Sequence, residues 1–132
     1  VPDTTADATA AILRAKYVLL TTFKRDGSAV PTPVWAVPDG IGLLIWTPRN
    51  SGKVKRIRNS GRVTVAPCTM RGKPTGAALE ATASLLDTAG TMRAQDAIGR
   101  KYGWLGRTWL RSAVKKAGQD AVIGIRVDLA RG

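Results

Sequence analysis

The segment Ile45-Trp46-Thr47-Pro48-Arg49-Asn50-Ser51-Gly52-Lys53-Val54-Lys55-Arg56-Ile57-Arg58 carries the densest set of groups able to hold an anion. It leaves an apolar run, passes through a small polar turn and enters a basic stretch with helical spacing. Asn50 or Ser51 can cap a helix that runs to Asn59, with Val54 and Ile57 at i, i+3 facing inward and the basic residues facing out. Free backbone N–H groups at a helix start, hydroxyls from Thr47 and Ser51, and the positive end of the dipole together suit a phosphate. Lys53 sharpens the expectation, because a cation in the first turn opposes the dipole and calls for a compensating anion. Taken alone, the same segment reads as a solvated basic face, and that alternative stays open.

The surrounding charge is one-sided. No carboxylate falls between Asp39 and Glu80, whereas Arg49, Lys53, Lys55, Arg56, Arg58, Arg62, Arg71 and Lys73 do. A second basic set, Arg100, Lys101, Arg107, Arg111, Lys115 and Lys116, follows near the C-terminus. A net charge of +12 on 132 residues suggests a polyanionic partner: nucleic acid, a membrane surface, or a phosphorylated and carboxylated cofactor. Nucleic acid draws support from the charge and the four tryptophans but is the weaker candidate, since the sequence lacks the interleaved surface aromatics expected of a stacking platform, and no specific nucleic-acid partner is expected.

Absences narrow the chemistry further. The chain has no histidine, which removes His-based triads, HExxH zinc sites and most imidazole mechanisms. Its single cysteine, Cys68, can form neither a CxxC pair nor an internal disulfide and reads as a small buried strand residue. No metal site is expected.

Short strands must position the basic segment. Tyr17 to Phe23 is β-branched and apolar, and Asp26-Gly27 favours a tight hairpin into a second strand, Ala29 to Val37. Pro31 and Pro33 remove alternate ladder donors there, which places that strand at an edge or beside a ligand. Pro38-Asp39-Gly40 turns into Gly42 to Thr47, too continuously apolar to be exposed on either face. Arg62 to Thr69 and Thr75 to Leu86 are the fourth and fifth strands, and Val122 to Leu129 alternates as the sixth. Thr5 to Lys16 reads as a helical lid. Thr88 to Tyr102 and about Thr108 to Ala117 read as two helices broken at Gly103 or Gly106, with Gly118 as a closing C′ residue. The expected fold is mainly β: a six-stranded antiparallel split β-barrel, with a short helix after strand 3 and a helical insert before the last strand.

The chain is expected to form one domain over residues 1–132, its 44% hydrophobic content sufficing for one core. No apolar run approaches the roughly 18 residues needed for a membrane span. Residues Val1 to Ala15 carry acids and threonines where a signal peptide would carry basic then apolar residues, so a cytoplasmic location is expected.

The order of hairpin, Pro-Val-Trp strand, Trp-Thr strand end, Ser-x-Lys helix, short strand, long strand and Lys-Tyr-Gly helix end resembles the flavin/deazaflavin oxidoreductase superfamily. These are the pyridoxamine 5′-phosphate oxidase-like split barrels, and the resemblance runs from about Ala15 to Leu129. It is carried by Asp26-Gly27, Pro33-Val34-Trp35, Ile45-Trp46-Thr47, Lys53, Ile57-Arg58-Asn59 and Arg62-Val63-Thr64-Val65. Lys101-Tyr102-Gly103 resembles the helix end of the deazaflavin-using branch.

The resemblance implies a homodimer with cofactor sites at the subunit interface. On matching positions it places Thr47, Asn50, Ser51 and Lys53 on a phosphate, and Pro33, Val34 and Trp35 against the ring. It offers Lys55, Arg56 and Arg58 to the carboxylates of an oligoglutamate tail, and leaves Trp46 as core or ring contact. The surplus cations favour coenzyme F420 over FMN, because the F420 tail adds carboxylates along an exposed track. The expected activity is hydride transfer between F420 and an electron-poor small molecule of activated alkene or quinone type. No residue is expected to be catalytic in the strict sense, with Tyr102 the one candidate for proton delivery. An FMN-dependent reductase and a non-catalytic F420-binding or storage protein are the alternatives.

Overall fold

The computed structural model describes the backbone of residues 4–117 and 122–129, and the side chains of 7–103 and 122–129. Helix α1 is Thr4–Arg14 and strand β1 is Tyr17–Phe23. The Asp26-Gly27 hairpin leads into β2, Ala29–Trp35. Gly27 takes φ 87°, and Asp26 accepts hydrogen bonds from the Ser28 N–H and hydroxyl. Then come β3 (Val37–Asp39), β4 (Gly42–Pro48), α2 (Gly52–Asn59), β5 (Arg62–Cys68), β6 (Leu79–Leu85), α3 (Thr88–Ala117) and β7 (Val122–Leu129).

All seven strands form one antiparallel sheet in the order β2-β1-β5-β6-β7-β4-β3. The strands at its two ends are consecutive in the chain and separated only by Ala36. One run of backbone therefore pairs with β1 as far as Trp35 and with β4 from Val37 onward. The sheet curls back on itself, and the side on which β2 faces β4 without ladder pairing is the split.

This explains the difference in strand number. The stretch expected as a single strand, Ala29 to Val37, is two strands because Ala36 crosses from one end of the sheet to the other. The fifth strand also differs: pairing begins at Leu79, not Thr75. Before it, the Thr75 N–H donates to the Pro67 carbonyl at 2.8 Å and Pro74 makes an isolated bridge to Cys68. The span labelled α3 holds two helices that meet at Gly103, whose φ 62° and ψ −140° are not helical, so the expected break falls there. Gly118 lies outside the described residues.

The barrel interior is filled by alternate residues: Val18 and Leu20 of β1, Leu43 and Ile45 of β4, Val63 and Val65 of β5, Ile125 and Val127 of β7. Ile12 of α1 and Ile57 of α2 join them, so both helices cover this core, α2 by the apolar stripe read from the sequence. Strand β4 is buried on both faces because α3 packs on its outer side, where Trp46 meets Ile98 and Val122. Gly124 makes room for that helix: a Cβ there would lie 3.1 Å from the Thr91 Cα and 3.3 Å from the Ala94 Cβ. Its N–H donates to the Thr91 hydroxyl at 2.9 Å. At the other end of β7, Arg126 bonds the carboxylates of Asp39 and Asp128, tying the β3–β4 turn to β7.

Candidate functional site

A cleft of about 320 Å3 opens along the split. Strand β2 supplies Pro33, Val34 and Trp35, the end of β4 supplies Trp46, Thr47 and Pro48, and α2 supplies Lys53. Tyr17, Met70 and Ile98 complete the lining. The end-of-sheet position of β2 is what lets its proline-bearing face border open space, since neither Pro31 nor Pro33 owes a donor to a second neighbour.

The polar end of the cleft is built by the turn from β4 into α2. Ser51 is the helix N-cap residue, with φ −70° and ψ 157°, yet its hydroxyl makes no capping bond. That Oγ is buried and has no hydrogen-bond partner among the described residues, a cost of about 1–3 kcal/mol that a ligand oxygen could relieve. Lys53, in the first turn, is half-buried and has no carboxylate partner among the described residues. Burial, and to a lesser degree the Arg56 charge, push its ammonium below the ordinary lysine pKa. The first turn holds no acidic residue. Arg56 reaches back along α2, so that a Cβ on Gly52 would lie 2.6 Å from its Nη1. Its Nε donates to the Thr22 hydroxyl of β1 at 2.5 Å. An ammonium, a guanidinium, an unsatisfied hydroxyl and the positive end of the helix thus share the N-terminal half of α2, with no ion-paired acid on them among the described residues. This arrangement suits a bound anion.

The structure brings Pro33, Val34, Trp35, Trp46, Thr47 and Lys53 together on the cleft wall, with Ser51 at the adjoining cap. Asn50 lies exposed in the same turn. Lys55 and Arg58 are exposed on α2 and do not line the cleft, and Arg56 is held against β1. Trp46 is both core and wall: it is 5% exposed and packs with Ile98 while bordering the cleft.

Tyr102 stands behind the wall. Its hydroxyl donates to the Lys16 carbonyl at 2.6 Å and accepts from the Ala36 N–H at 3.1 Å. Burial raises its pKa to about 12. A phenol so engaged is poorly suited to deliver a proton near neutrality.

Sequence patterns gave no pointer to Tyr17 or Met70 as lining residues, and Ile98 read only as helix core. Met70 sits in a turn closed by the Gly72 N–H to the Thr69 carbonyl, with Gly72 at φ 88°. That turn is legible from Arg71-Gly72, but its approach to Pro33 of β2 follows from the curl of the sheet.

Residues 4–132 match the family model described as pyridoxamine 5′-phosphate oxidase. No curated protein sequence matches the chain. Among solved structures it is similar to a putative 5-nitroimidazole antibiotic resistance protein from Bacteroides thetaiotaomicron, at 13% identity and a TM-score of 0.70, covering 99% of this chain and 82% of that one. It is also similar to an F420 reductase, at 18% identity and a TM-score of 0.58, covering 99% and 97%. A heme storage protein from Vibrio cholerae aligns at 11% identity and a TM-score of 0.68, covering 98% and 92%. At these identities the likeness is one of fold. No described helix is long and apolar enough to cross a membrane.

Proposed function

The chain belongs to the pyridoxamine 5′-phosphate oxidase family, within the flavin/deazaflavin oxidoreductase superfamily of split barrels, and on that premise we propose that it is an F420-dependent oxidoreductase. The observation that carries the reading is the unbalanced cation site at the head of α2: half-buried Lys53 and the orphaned Ser51 hydroxyl, at one end of a cleft walled by Trp35, Pro33 and Val34.

These residues fit a phosphorylated ring cofactor. Lys53, Ser51, Thr47 and Asn50 would hold the phosphate, with Lys53 supplying the charge-assisted contact. Pro33, Val34 and Trp35 would take the ring face and exclude water from it. Lys55 and Arg58, exposed on α2 and free of acidic partners among the described residues, would meet the carboxylates of the F420 tail. Arg56 would add field rather than contact while it is bonded to Thr22.

When bound, F420 supplies hydride transfer to or from its deazaflavin ring. What this chain contributes is alignment, a dry ring face and anion binding, with no obligatory catalytic side chain. The substrate is proposed to be an electron-poor small molecule of activated alkene or quinone type, admitted on the open side of the cleft. Completion of the cleft by a second copy, giving a homodimer, belongs to the same proposal. Titration of the purified protein with F420 and with FMN tests it: F420 is expected to bind more tightly. Equal or tighter binding of FMN would move the assignment to an FMN-dependent reductase on the same fold. Binding of F420 without turnover of any electron-poor acceptor would support a storage role instead.

A further inference from the structure

The aromatic wall of the cleft is braced from behind. The Tyr102 ring stacks on the Trp35 indole with centroids 4.4 Å apart and planes 11° from parallel, yet Tyr102 itself does not line the cleft. The phenol is fixed in turn by its bonds to Lys16 and Ala36. Next to it, the Lys101 ammonium donates to the carbonyls of Ala15 at 2.9 Å and Ala36 at 2.5 Å. Two different tasks therefore meet at one helix end. Polar bonds hold Ala36, where the chain crosses between the two ends of the sheet. The Tyr102 ring lies against the Trp35 indole, which borders the cleft next to that crossing, and the Lys101 ammonium stands 5.1 Å from the ring centroid.

We propose that Tyr102 is a positioning residue for the bound cofactor, acting through the Trp35 indole, and that this task is separable from the clasp that its hydroxyl and Lys101 make at Ala36. The proposal rests on the reading of Trp35 as a wall against the cofactor ring. An indole on the last strand of a sheet has two soft side-chain dihedrals. Freezing them before the ligand arrives removes an ordering cost that binding would otherwise bear. The near-parallel stack does this without spending any polar group of the cleft.

Substitutions at two positions separate the tasks. Tyr102→Phe keeps the ring and loses the hydroxyl, and Lys101→Met loses the ammonium. Tyr102→Leu loses the ring, and Tyr102→Met does so while refilling the space should the leucine variant not fold. Each is assayed by thermal melting and by F420 affinity, alone and in a Trp35→Leu background. Tyr102→Phe and Lys101→Met are expected to melt lower with an unchanged Kd. Loss of the ring is expected to weaken binding about two- to tenfold. In the Trp35→Leu background, loss of the ring should cost no further affinity, because the route to the ligand is already gone.

A purely structural tyrosine would instead weaken binding equally in both backgrounds, or lose as much with phenylalanine as with leucine. Either result overturns the positioning role while leaving the cofactor assignment intact. If the wild-type protein binds FMN and not F420, FMN becomes the probe for the same cycle. If it binds neither, both the cofactor reading and this inference fall.

Discussion

Replacing Lys53 by methionine should move stability and affinity in opposite directions. In the unliganded protein the ammonium is half-buried, lies in the first turn of α2, and has Arg56 rather than a carboxylate for company. An opposed helix dipole costs about 0.3–1 kcal/mol, so Lys53→Met, which keeps the apolar stem, should raise the melting temperature by about 1–5 °C. Binding carries the opposite sign. A charge-assisted contact to a phosphate contributes about 1.5–3 kcal/mol, so its loss should weaken the cofactor by about ten- to a hundredfold. Because burial lowers the Lys53 pKa, wild-type affinity should begin to fall with rising pH below the usual lysine range, and this limb should vanish in the variant. Calorimetric titration and thermal melts on the same preparations read both quantities. Lys55→Met, on the exposed side of the helix, should change the melt little. If Lys53→Met melts lower and binds cofactor as well as wild type, the lysine is a structural residue and the anion site lies elsewhere.

Further outcomes follow from the packing. Burial raises the Tyr102 pKa from the ordinary tyrosine value of 10.0 to about 12. Between those pH values the unfolded chain gives up this proton first, so stability should fall as pH rises; a pH series of melts should show a shallower fall for Tyr102→Phe. Gly124→Ala would push a Cβ to 3.0 Å from the Leu86 Cδ1 and 3.1 Å from the Thr91 Cα. Overpacking of α3 on β7 should then cost about 1–3 kcal/mol in urea denaturation, and an unchanged midpoint would show that the helix yields freely. Light scattering should give a homodimer, and a monomer at micromolar concentration that still binds cofactor would show the site complete within one chain.

Much of the fold was legible because local signals and burial agree. Asp26-Gly27 and Pro38-Asp39-Gly40 marked their hairpins, the β-branched apolar run Tyr17–Phe23 became β1, and of the face read along Val122–Leu129, Ile125, Val127 and Leu129 enter the core. The miscount of strands has a non-local cause. Nothing in Val34-Trp35-Ala36-Val37 announces a break, since none of the four is a turn former and three favour strands. Ala36 becomes a crossing only because β1 and β4 lie at different places in the sheet and Tyr102 and Lys101 bind it from α3. The basic helix and its hydroxyls could be read from spacing alone, whereas the orphaned state of Ser51 and the engagement of Arg56 with Thr22 depend on partners far along the chain. Met70 and Tyr17 reach the cleft by the same curl, which no short-range pattern encodes.

The central claim is that the cation-rich head of α2 and the tryptophan-walled cleft form a site for a phosphorylated deazaflavin with an acidic tail. Parallel equilibrium titrations with F420 and FMN at two salt concentrations test it most directly. F420 should bind more tightly, and its advantage should shrink as salt screens the exposed Lys55 and Arg58. FMN binding as tightly as F420 at low salt would contradict it.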